Sequence, residues 1–159
     1  MSELSYSTTS SVIESWERLK RIKNYQEVAG VTVFQRLFEK CPQARVLFGF
    51  PIDIDTNSSE LLQSKRFLTH AAHMMDMMDA ALSMFLGPDM DMLHEIIDEL
   101  ADKHRRYGVT APMFPVLGEG FLLALETHLG ESFFDNKMKE AWKETYSLLS
   151  CEMINAMSK

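Results

Sequence analysis

Apolar residues recur along the chain at helical spacing, and no β-branched alternation is sustained over five or more positions. Val12, Trp16 and Leu19 share one face behind Ser11 and Glu14, which form a capping box. The first helix is therefore expected to start near Ser11, leaving the Ser/Thr-rich residues 1–10 as a flexible segment. A second helix is predicted from about Glu27 to Lys40, with Val31, Phe34, Leu37 and Phe38 on one side and Pro42 closing it. The short apolar run from Val46 to Pro51 reads as an ordered corner, and residues 51–60 as a solvated connection or a weak helical turn. Further helices are predicted from about Ser64 to Leu86, stopped by Gly87-Pro88, and from Asp91 to Tyr107, stopped by Gly108. The last two span about Pro112 to Leu129, capped by Gly130, and Phe134 to Met157. Six to eight helices without repeats describe an all-α fold, one domain over residues 11–159 around a single core.

Charge narrows the function classes. With 16 Lys and Arg against 23 Asp and Glu, the net charge of −7 opposes a polyanion, so nucleic acid is not an expected partner. No run of apolar residues is long enough to span a bilayer, and the N-terminus lacks a basic start followed by an apolar stretch; neither a membrane segment nor a secretory signal is expected. Cys41 and Cys151 are far apart and form no metal-binding spacing, which fits a reducing, cytoplasmic setting. Each thiol reads as a small buried hydrophobe, with a redox role as the other possibility.

The histidines carry the candidate chemistry. At about 100° per residue, Phe67, His70, Met74, Met77, Ala81, Met84 and Phe85 form one stripe, with His70 inside it and His73 at its solvent-facing boundary. Leu93, Ile97, Leu100 and His104 stack along the next helix, so His104 also points inward. His94 falls at that stripe's edge, and His128 precedes the Gly130 cap, where a partly protonated imidazole suits a helix C-terminus. A core imidazole needs partners for its nitrogens; His70 and His104 are either satisfied core histidines or ligands. A metal held directly would want a third protein ligand, which neither stripe offers, whereas haem needs only axial imidazole.

From Ser11 onward the chain resembles the globin family, and within it the neuroglobin-like single-domain animal globins. The resemblance is carried by Trp16, by Phe34, Leu37 and Phe38, by Pro42 and by Phe48 in LFGF. It continues through SKRFLTHAAHMM, ELADKHRRYGV, Phe114, VLGEGFLLALETHLG and AWKETY. It implies the globin fold, a three-over-three helical sandwich around a haem pocket. It further implies haem b as cofactor, His104 as the proximal iron ligand and His70 as the distal histidine, a possible sixth ligand. Phe48 is implied to pack on the porphyrin, with Phe34, Met74, Leu100, Val109, Phe114 and Leu117 completing the pocket and His73 offered to a propionate. The run Lys103-His104-Arg105-Arg106 is either a propionate or reductase contact or a solvated basic rim.

Met74 departs from the smaller aliphatic usual in the family. It reads as deformable filler, with a thioether competing for iron as the sharper alternative. The cysteine pair of some neuroglobins is absent from residues 51–63. The implied function is reversible binding of oxygen, NO and CO by a monomer or weak homodimer, for storage, scavenging or sensing. The alternative is nitric oxide dioxygenase or nitrite reductase activity, dependent on a separate reductase.

Overall fold

The computed structural model describes residues 4–159. Eight helices and no strand occur among them: α1 (Tyr6–Lys20), α2 (Tyr25–Lys40), α3 (Gln43–Leu47), α4 (Ser59–Leu62), α5 (Lys65–Phe85), α6 (Met90–Tyr107), α7 (Met113–Leu129) and α8 (Asn136–Met157). Helices α1, α5 and α6 form one layer and α2, α7 and α8 the other. The layers meet where α2 crosses α5, where α8 packs on α1 and α6, and where α1 reaches α7. This is the three-over-three sandwich.

Helix α1 starts five residues before Ser11. The Ser5 hydroxyl accepts from the Thr8 amide and caps it, while Ser11 lies buried inside the helix. The extra turn is docked rather than frayed, since Thr8 and Thr9 are half-buried and the Thr8 hydroxyl donates to Glu144 on α8. Residues 6–10 are thus helical, and residues 1–3 lie outside the described ones. The later boundaries fall within two residues of their signals: Ser64 caps α5 by accepting from the Phe67 amide, and Gly108 ends α6 at a φ of 88° that favours glycine.

Two tryptophans fasten α1. The Trp16 indole donates to Asp79 on α5 at 2.8 Å, and the Trp142 indole donates to the buried Ser15 hydroxyl at 2.7 Å. Each large ring thus buries its apolar body with its one donor satisfied. The stretch 51–60 is less solvated than its polarity predicts: Ile54 and Thr56 are buried, and the Gln35 amide donates to the Thr56 carbonyl. Only its end makes a helical turn, α4, capped by Ser58. Neither cysteine is buried; Cys41 is half-buried and Cys151 exposed.

The core is divided rather than single. One cluster gathers Trp16, Val33, Met75, Leu93, Phe121 and Trp142; the other gathers Phe34, Phe38, Leu61, Phe67 and Ala71 around the corner between α3 and α5. Met74 and Leu117 pack against both. Along α5 the fully buried line runs Phe67, Ala71, Met75 and Leu82, displaced by one position from the expected stripe. That displacement takes His70 out of the core: the residue is exposed rather than inward-pointing.

Candidate functional site

Helix α2 determines how closely α5 can sit. A Cβ on Gly30 would come 2.7 Å from the Ala71 carbonyl oxygen, so only glycine lets the backbone of α5 approach there. Ala71 is the neighbour of His70. From this seat the His70 imidazole meets Phe48 at 4.8 Å and Phe34 at 5.5 Å between ring centroids, and Phe34 and Phe48 contact each other edge-on at 5.1 Å. Phe67 lies against both phenylalanines.

Phe48 is itself held by a staple that the hydrophobic pattern does not reveal. Arg45 donates from Nε to the Phe38 carbonyl and from Nη1 to the Ile52 and Ile54 carbonyls, tying α2, α3 and the following loop into one corner. Leu47, just before Phe48, lies against Gly108 at the end of α6. The corner carrying Phe48 and the exit from the His104 helix therefore touch.

On α6 the buried line is Leu93, Ile97 and Ala101, and His104 is half-buried on its flank with Leu100. Phe114, buried at the start of α7, meets the His104 ring edge-on at 5.8 Å and 88°. His104 Nδ1 is buried without a well-formed hydrogen bond. The Leu100 carbonyl one turn earlier is close enough to act on its protonation. Nε2 is not sealed in this way. Val109 and Leu117 pack beside the Phe34–Phe48 cluster, as does Met74.

The histidines divide by their partners. His128 Nε2 shares a hydrogen bond of 3.1 Å with the Thr32 hydroxyl, and His94 faces Glu152 at 3.5 Å. Burial holds His128 below the ordinary imidazole pKa, so it is neutral and does not serve the helix terminus as a cation. His70 and His104 make no side-chain hydrogen bond among the described residues. Burial lowers the pKa of both; for His70 the charges of His73, His104 and Arg66 act in the same direction, while for His104 the Leu100 carbonyl opposes the shift. His70 is nonetheless exposed, its ring lying against Phe48 and Phe34 and otherwise open to solvent. The two imidazoles are thus neutral near pH 7, unpartnered and within electrostatic reach of each other.

Other candidates lie further out. His73 is exposed and lines a shallow groove of about 560 Å³ with Glu27, Lys65, Leu68 and Asp76, outside the aromatic cluster. The basic run around His104 is engaged locally: Lys103 pairs with Glu99, Arg105 with Asp102 and with carbonyls at the chain's end, and Arg106 with Asp102. A cleft of about 230 Å³ between α7 and α8 reaches neither His70 nor His104.

The family model described as Globin matches residues 31–153. The chain belongs to the globin family. This globin is 30% identical to the neuroglobin of Danio rerio over 159 residues, covering 100% of this chain and 96% of that protein. It is 32% identical to neuroglobin-2 of Oncorhynchus mykiss over 148 residues, covering 91% and 87%. Among solved structures, its fold is similar to that of a hexacoordinated haem protein from an anhydrobiotic tardigrade, with a TM-score of 0.81 at 20% identity over 98% of this chain and 96% of that one. A Drosophila melanogaster globin superposes with a TM-score of 0.77 at 19% identity, covering 96% and 94%. No helix among the described residues is long and apolar enough to cross a membrane.

Proposed function

We propose that this globin holds haem b between His104 and His70 and reversibly binds diatomic gases, oxygen foremost and NO and CO at the same position. The observation that carries the reading is where the unpaired imidazoles stand: His128 and His94 are partnered and His73 lies exposed away from the aromatic cluster, whereas His70 and His104 are unpaired and each stands against an aromatic ring. The donor set suits the group. Among the described residues no three His, Cys, Asp or Glu side chains come together in a way that could hold a metal ion directly, while haem brings its own equatorial ligands.

His104 is the proximal ligand through Nε2, the nitrogen left open. The Leu100 carbonyl one turn earlier favours the tautomer with the proton on Nδ1, although no well-formed hydrogen bond holds the ring there. Phe34, Phe48, Met74, Leu100, Val109, Phe114 and Leu117 wall the pocket and keep water from the iron, and His73 at the exposed edge serves a propionate. Haem, when bound, supplies a ferrous iron that takes and polarises a diatomic ligand.

His70 holds a ring N–H toward that ligand, and a hydrogen bond to so polar an acceptor contributes about 1.5–3 kcal/mol. That is roughly ten- to a hundred-fold in affinity. In the gas-free protein we assign His70 to the sixth position, a reading supported by its free nitrogens and by the likeness to the hexacoordinated tardigrade protein. Gas affinity is then scaled by the fraction of open site. Two free thiols fit a reducing, cytoplasmic compartment. The protein acts there as a monomer or weak homodimer, with electrons drawn from a separate reductase.

Absorption spectroscopy after haem reconstitution tests the assignment. A Soret band is expected, with sharp visible bands in the reduced, gas-free state that collapse to one broad band in His70→Leu. His104→Ala should lose haem. Haem retention by His104→Ala equal to the parent would overturn the proximal assignment, and sustained turnover of nitric oxide or nitrite with a reductase would move the reading to catalysis.

A further inference from the structure

Tyr146 lies on α8, a helix that contributes no residue to the pocket proposed above, yet it is tied to the proximal side. Its ring crosses α7 at Gly118, where a Cβ would fall 2.6 Å from the ring, so the bare backbone is what lets the phenol lie across the helix. The hydroxyl then donates to the Phe114 carbonyl at 2.6 Å. Burial pushes the phenol pKa well up, which keeps the proton on this donor at every physiological pH.

The first turn of α7 has no side-chain cap of its own, since it opens at Pro112 without a capping hydrogen bond. A cap would accept from the free N–H groups of that turn; Tyr146 instead donates to one of its carbonyls, and that bond ties the turn to α8. Phe114 belongs to the same turn, and its ring is the aromatic surface in edge-on contact with His104. Because His104 Nδ1 lacks a well-formed hydrogen bond, the imidazole's rotation about its Cβ–Cγ bond is set largely by the side chains packed around it, Phe114 among them. We propose that Tyr146 is a positioning residue for His104, acting through the backbone and ring of Phe114 to set the rotation of the proximal imidazole. This rests on the reading of His104 as the iron ligand.

The test is Tyr146→Phe in the haem-loaded protein, read by the hyperfine-shifted haem methyl resonances of the ferric cyanide form, whose spread follows the proximal imidazole's orientation. A changed spread is expected, together with faster haem loss. Ser15→Ala is the matched control: it removes one buried bond to α8, from the Trp142 indole, but nothing near Phe114. It should lower stability and leave the methyl pattern unchanged. Gly118→Ala drives a methyl into the Tyr146 ring and should move the pattern in a protein that keeps the hydroxyl, which covers the case in which Tyr146→Phe does not fold. An unchanged pattern in Tyr146→Phe, or in Gly118→Ala where the first does not fold, overturns the inference. An equal shift in Ser15→Ala would overturn it too, by showing a general response to destabilisation. Absence of a Soret band in the parent protein would instead defeat the haem reading itself.

Discussion

Gly30→Ala is the substitution whose consequence follows most directly from geometry. The new methyl would meet the Ala71 carbonyl oxygen at 2.7 Å, the carbonyl carbon at 3.0 Å and the Ala71 Cβ at 3.1 Å, where ordinary contact begins near 3.4 Å. The nearest obstacle is backbone, so no side-chain rotation relieves it, and α5 must withdraw from α2 by about 0.7 Å at the crossing. Overpacking of this kind costs about 1–3 kcal/mol. Alanine recovers about 0.5–1 kcal/mol of that, because glycine is the poorer helix former. The net is a loss of about 0–2.5 kcal/mol, centred near 1, and at about 2–4 °C per kcal/mol for a chain of this size the apo protein should melt a few degrees lower by circular dichroism. Gly120→Ala, which would meet the Val33 carbonyl oxygen at 2.7 Å on the α7 side of α2, should behave alike. In the haem-loaded protein Gly30→Ala should also raise the five-coordinate fraction, because His70 travels with Ala71. An unchanged or higher melting temperature would show that α5 absorbs the methyl without moving, and the crossing would not then set the position of His70.

Three other perturbations probe separate parts of the structure. Thr145→Val should be neutral or stabilising by up to about 1 kcal/mol in urea unfolding, because the Thr145 hydroxyl is wholly buried without a partner; a clear loss would reveal a hydrogen bond to that hydroxyl. Arg45→Met removes three bonds to the carbonyls of Phe38, Ile52 and Ile54, and amide hydrogen exchange should quicken across residues 48–56 but not in α8; uniform quickening would refute a local staple. His70, His104 and His128 all have pKa values below the ordinary 6.5 when folded. The unfolded chain therefore takes up more protons in mildly acid solution, so their contribution to apo stability is present above about pH 6.5 and lost as pH falls through the lower folded values. A urea midpoint rising as pH drops from 7 to 5.5 would contradict the burial of these rings.

The boundaries of α5, α6 and α7 were legible because single residues punctuate them: Ser64 with its hydroxyl, Gly108 with its left-handed backbone, Gly130 beyond the last turn. The start of α1 was not, because Ser5 through Ser11 contain several hydroxyls and spacing does not say which one caps. In α5 the run Met74, Met75, Met77 and Met78 broadens the apolar face, so periodicity locates its centre only to within one position. Sequence marks His70 and His104 as a pair, but their lack of partners is a property of packing. So are the Arg45 staple, the glycine crossings and the reach of Tyr146 to Phe114, each joining residues on different elements.

These tertiary contacts distribute rigidity unequally between the two imidazoles. His104 is sealed at Nδ1 and packed by Phe114, whose turn is anchored from α8 by Tyr146. His70 is exposed, packs against the Phe34 and Phe48 rings, and sits on a helix whose distance from α2 depends on a missing methyl at Gly30. A substitution of equal energetic cost should therefore act differently on the two sides. On the α2–α5 side it would move His70 against a gas bound in the proposed site and change affinity. On the α7–α8 side it would turn the His104 ring and change how firmly the proposed haem is kept. Gly30→Ala and Tyr146→Phe, compared in one background for gas affinity and haem loss, should therefore separate these two properties, each variant moving chiefly one of them.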